Sequence, residues 1–129
     1  MPQTRTKGQI EAEISDAMVK LQRERTGRGP TKAHTYIIED MVIVRMQEVL
    51  TPAERQLTGK TYGQSLVKQF HQQMHEIARA DYEQIIEAQT GCKVASIHSD
   101  VSTKTGEQMA IFVLDRNLEQ LCHRKHGAH

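Results

Sequence analysis

The sequence predicts an α+β fold: a small antiparallel sheet of two hairpins, covered by an N-terminal helix and one long helix, in the order α-β-β-α-α-β-β. Three observations carry this. Apolar residues recur at helical spacing near the N-terminus and through the middle of the chain. Two blocks, near 33–48 and 93–114, alternate in strand fashion around polar turns. No βαβ crossover with a glycine fingerprint intervenes, so a doubly wound sheet is disfavoured.

The first helix is expected from about Lys7 to Arg25, because Ile10, Ile14, Ala17, Met18 and Leu21 share one face and charged residues fill the others. Gly27-Arg28-Gly29-Pro30 ends it, since glycine suits a helix terminus and proline cannot continue the helix. Strands follow at 33–38 and 41–48, with Glu39-Asp40 as the turn between them. On the second strand Val42, Val44 and Met46 face one way and Ile43, Arg45 and Gln47 the other, as in a sheet covered on one side.

Leu50-Thr51-Pro52-Ala53-Glu54-Arg55 reads as a helix start: Thr51 as cap, Pro52 in the first position, and Glu54 reaching back to complete a capping box. This short helix ends near Leu57, before Thr58-Gly59. The long helix starts near Thr61 and ends at Gly91, with Leu66, Phe70, Met74, Ile77, Ile85 and Ile86 as its stripe and Asp81 breaking it. About 28 residues make about 42 Å of helix, more than a compact monomer of this size spans, so part of it is expected to pack on a second subunit. Lys93–Ser99 and Gln108–Leu114 form the second hairpin around a polar loop.

At 129 residues the chain suits one domain, read as 1–118, followed over 119–129 by a basic Cys/His-containing tail expected to be mobile. Lys and Arg total 17 against 16 Asp and Glu, and aromatic residues are few, so nucleic acid is not an expected partner. No apolar run approaches the length of a transmembrane segment. Two unpaired cysteines and no leader-like start make the cytoplasm the expected compartment, with the inner face of the membrane as a peripheral location.

Gly27-Arg28-Gly29-Pro30, Val49-Leu50-Thr51-Pro52-Ala53-Glu54-Arg55, Thr90-Gly91-Cys92-Lys93-Val94, Ile97-His98-Ser99-Asp100, Thr105-Gly106 and Ile111-Phe112-Val113-Leu114 occur in one order. In that order and spacing, over roughly residues 8 to 118, the chain resembles the MpsC-like family. These are small bacterial proteins named for a sodium-translocating, membrane-potential-generating system. The resemblance implies an accessory or regulatory subunit associated with a membrane ion or inorganic-carbon transport system, working by protein–protein contact, and no catalytic residues. It draws attention to Arg28, Thr51, Glu54, Gly91, His98 and Asp100.

Arg28 between two glycines could present a guanidinium and backbone N–H groups to a small anion, although the phosphate-loop ending is absent. His98 and Asp100 end a strand on one face, where loops carry binding residues. His71 and His75 stand four apart on the long helix, but His71-Gln72-Gln73-Met74-His75 lacks the glutamate of zinc proteases. The alternative to the accessory role is therefore a zinc enzyme such as a carbon dioxide hydratase, with His71, His75 and His98 or Asp100 around the metal. In the tail, Cys122, His123 and His126 have plausible spacing for adventitious metal. Ser99 between His98 and Asp100 cannot make a triad, because adjacent residues lack the required separation.

Overall fold

The computed structural model describes residues 5–27, 30 and 32–127, the last five as backbone only. Its elements are α1 (Lys7–Thr26), β1 (Lys32–Ile38), β2 (Met41–Gln47), α2 (Pro52–Leu57), α3 (Thr61–Thr90), β3 (Val94–Val101), β4 (Gln108–Leu114) and α4 (Leu118–Gly127). The fold is α+β, with the predicted order over the first seven elements. Arg28 lies outside the described residues, as do the side chains of His123 and His126.

The capping box read at Thr51 is built as such, and a second one opens α1. At α1, Thr6 accepts from the Gln9 N–H while the Gln9 side chain accepts from the Thr6 N–H. At α2, Thr51 and Glu54 do the same across 3.2 and 2.9 Å. Each box satisfies N–H groups that the first helical turn leaves without a partner. Gly27 and Gly91 close α1 and α3 in the left-handed region, at φ 78° and 70°, where glycine carries no Cβ penalty.

The strands form one antiparallel sheet in the order β1-β2-β4-β3, so the two hairpins meet along β2 and β4. Helices lie on one face only. Ile37, Val42, Val44, Met46, Ala110, Phe112 and Leu114 point inward against Ile10, Ile14 and Met18 of α1 and Val67, Ala78, Tyr82 and Ile86 of α3. The other face of the sheet is uncovered, with Tyr36, Ile38 and Met109 exposed on it.

Two expectations change. The domain does not end at 118: the chain continues as α4, and Leu118 and Cys122 are buried in the core. Glu119 helps hold this helix, because its carboxylate accepts from the Glu39 N–H at 2.8 Å and pairs with Lys7 at 2.8 Å. The stripe read on α3 is also split between two faces: Ile86 is buried and Ile85 packs against the core, while Met74 is half-buried. Leu66, Phe70 and Ile77 are exposed, and the buried face is Gly63, Val67, His71, Ala78, Tyr82, Ile86 and Thr90.

Gly63 is where α3 passes closest to α2. A Cβ there would stand 1.8 Å from the Leu57 carbonyl oxygen, which is backbone and cannot swing away. Gly63→Ala should cost about 3 kcal/mol through this overlap, a loss of roughly 10 °C in melting temperature. Thermal unfolding followed by circular dichroism measures it, and a melting point matching the parent would contradict the close approach.

Candidate functional site

The capping carboxylate of α2 does more than hold its own helix. One oxygen of Glu54 accepts from the Thr51 N–H, and the other lies 2.7 Å from Nε2 of His71 on α3. His71 is 7% and Glu54 14% exposed, so the pair is largely removed from water. A buried imidazole beside a carboxylate takes its orientation from that hydrogen bond, which here also ties the start of α2 to the middle of α3.

One turn on, His75 lies 5.2 Å from the Tyr82 ring, centroid to centroid. Its Nδ1 is buried with no hydrogen-bond partner. Burial pushes the His75 pKa down from its ordinary value of 6.5; the neighbouring Glu76 opposes that shift and Arg79 adds to it. The Tyr82 hydroxyl accepts from the Gln22 side chain at 2.8 Å, and burial raises the phenol to about 12. Neither group carries charge near neutral pH.

His71 and His75 form part of the inner wall of a cleft of about 430 Å³ between α3 and the edge strand β3. From α3 come His71, Gln72, His75, Glu76 and Arg79; from β3 come Ile97, Ser99 and Asp100. The buried Gln108 of β4 closes the floor and donates to the Ser99 hydroxyl at 3.3 Å. The cleft is polar, carries both charge signs and contains no aligned nucleophile, base and orienting group.

The residues singled out from the sequence are only partly brought together. His71, His75 and Asp100 line this cleft, but His98 does not. Its ring sits on the uncovered face of the sheet, opposite Ile111, 3.3 Å from the Ser96 hydroxyl. Asp100 is held by Lys68 at 3.2 Å and accepts from the Val101 N–H. Among the described residues no three His, Cys, Asp or Glu side chains are grouped as a metal ion requires. The donors His71, His75, His98 and Asp100 therefore do not fit zinc together: one faces away and two are engaged by Glu54 and Lys68. The sequence reading had Glu54 only as a cap; its pairing with His71 needs the turn between α2 and α3, which no local pattern encodes.

Two measurements follow from this geometry. Glu54→Ala and His71→Ala should each destabilise, and a double-mutant cycle should give a coupling of about 1–3 kcal/mol; strictly additive effects would mean the pair does not form. Because the folded His75 pKa is depressed, the unfolded chain takes up the proton first on acidification. The stability that His75 permits is thus full above the ordinary value of 6.5 and declines as pH falls below it. His75→Phe should flatten that part of the profile in denaturant titrations; an unchanged slope would place His75 in water.

The family described as "Na+-translocating membrane potential-generating system (MpsC)" matches residues 6–116. "Uncharacterized protein YbcI" of Bacillus subtilis (strain 168) is 37% identical over 116 residues, covering 90% of this chain and 94% of the relative. "Uncharacterized protein YrhF" of the same organism is 23% identical over 109 residues, covering 84% and 89%. No solved structure matches significantly. With a family match across nearly all of its α+β core, the chain belongs to the MpsC family.

Proposed function

We propose that the protein is a soluble accessory subunit of a membrane-potential-generating system, working as a homodimer and by contact with other proteins rather than by catalysis. The family supports the association with such a system. The observation that carries the mode of action is the apolar surface left open: Tyr36, Ile38 and Met109 on the bare sheet face, and Leu57, Tyr62, Leu66, Phe70 and Ile77 on α2 and α3. Patches of this extent mark interaction surfaces. No described helix is long and apolar enough to cross a membrane, which fits a system whose membrane components are other chains. The polar cleft is the place on this subunit for a small regulatory ligand, and its mixed charge favours no simple anion.

The test uses membrane vesicles containing the membrane subunits of an MpsC-type system. Added protein should bind these vesicles and not empty ones, and should raise the sodium-dependent potential reported by a voltage-sensitive dye. Tyr36→Lys with Met109→Lys should abolish binding while leaving the fold intact. A potential identical with and without the protein would overturn the accessory role.

A further inference from the structure

The exposed stripe of α3 is self-complementary when read in reverse. At about 100° per residue, Tyr62, Leu66, Phe70 and Ile77 fall on one face, separate from the buried face of Val67, Ala78 and Tyr82. Tyr62 is 70%, Ile77 62% and Phe70 48% exposed. Turned end for end about Phe70, the stripe sets Leu66 against Met74 and Tyr62 against Ala78, one residue from Ile77, so the apolar side chains of the two copies lie side by side. An apolar groove of about 530 Å³, lined by Leu57, Leu66, Val67, Phe70 and Met74, runs beside it and offers holes for opposing knobs.

Charge selects the direction. From Lys60 to His75 the helix and its cap carry Lys60 and Lys68 and no carboxylate; from Glu76 to Thr90 they carry Glu76, Asp81, Glu83 and Glu87 against Arg79 alone. A parallel pair would set the acidic half against itself, whereas an antiparallel pair about Phe70 sets it against residues 50–64, with Glu76 opposite Gln64 and Lys60 beside Asp81, and opposes the helix dipoles. The exposed fractions of these large side chains correspond to on the order of 500 Å² per protomer, so a two-fold contact reaches the roughly 1,000 Å² of a specific interface.

We infer that α3 is the dimer seam of this protein: a second copy packs antiparallel along Tyr62–Ile77, with the two Phe70 rings at the two-fold axis. This rests on the homodimer in the proposed function and adds its geometry. A homodimer seam is isologous, which is why a stripe that matches its own reverse to within one residue suits a second copy better than an unrelated helix.

Sedimentation equilibrium of the full chain should give a dimer at micromolar concentration. Phe70→Glu and Ile77→Lys, both at exposed positions, should each weaken it roughly thirtyfold or more while retaining the helical circular dichroism. Direction is read by mixing Tyr62→Cys with Ile77→Cys protein under oxidation: the mixture should cross-link and neither variant alone should, since native Cys92 and Cys122 are buried. A monomeric parent, a dimer indifferent to both substitutions, or cross-linking of Tyr62→Cys with itself would overturn the seam. The vesicle assay is independent of this outcome: a monomer that still supports the potential removes the seam and keeps the accessory role.

Discussion

A four-stranded sheet with helices on one side only is the constraint from which the rest of this structure follows. Its inner face is the whole source of core, so α1 and α3 must both lie across it, and α4 seals the β1 end with Leu118 and Cys122. The β-strands respond with strict alternation: Val42, Val44 and Met46 are buried while Arg45 is exposed. One layer of helix leaves one side of the sheet without protein, and that bare side is apolar enough, at Tyr36, Ile38 and Met109, to be a surface for another chain.

Within that layer the contact between Glu54 and His71 sets where α3 can sit. A carboxylate that completes a capping box is already fixed in position by the Thr51 N–H, so its second oxygen is a rigid anchor. His71 docks on it from the middle of α3, and Gly63 allows the first turn of α3 to pass against the end of α2. The cost is a polar strip inside: His71, Gln22, Gln108 and Tyr82 are buried and must find partners, which they do pairwise, except for Nδ1 of His75. His71, His75 and Gln108 of this strip also line the cleft, so residues that position the helix help make the cleft polar.

The elements were legible in the sequence because each has a local cause. Capping at Thr51, glycine at 27 and 91, and alternation in the strands act over a few residues, and the helix and strand limits follow from them within a residue or two. What was not legible depends on tertiary choice. An amphipathic stripe states that a helix has apolar positions but not which of them turn inward, and on α3 Leu66, Phe70 and Ile77 are outward while Val67, Ala78, Tyr82 and Ile86 turn inward. The spacing placed His71 beside His75 on one helix and His98 near Asp100 on one strand, but the meeting of α3 and β3 that brings His71, His75 and Asp100 to one cleft is a tertiary fact. By strand alternation His98 and Asp100 both turn away from the side of Ile97, Ser99 and Val101; Asp100, on the edge strand and paired with Lys68 of α3, still reaches the rim of the cleft, whereas His98 does not. The tail became helix α4 because Leu118 and Cys122 repeat at four residues, a signal masked by the histidines and basic residues that follow.

The circumference of α3 is divided among three environments, and the division bears on how the subunit can work. Val67, Ala78, Tyr82 and Ile86 face the core, Gln72, His75, Glu76 and Arg79 face the cleft, and Tyr62, Leu66, Phe70 and Ile77 face outward. By helical geometry the cleft side and the outward stripe lie well over a quarter turn apart. A partner along the stripe therefore leaves the cleft open, and both leave the bare sheet face untouched. Self-association, a small ligand and a membrane partner need not compete for surface, yet the first two would bear on opposite flanks of one rigid helix. That helix is anchored to α2 by Glu54, so any displacement along it reaches the anchored pair first.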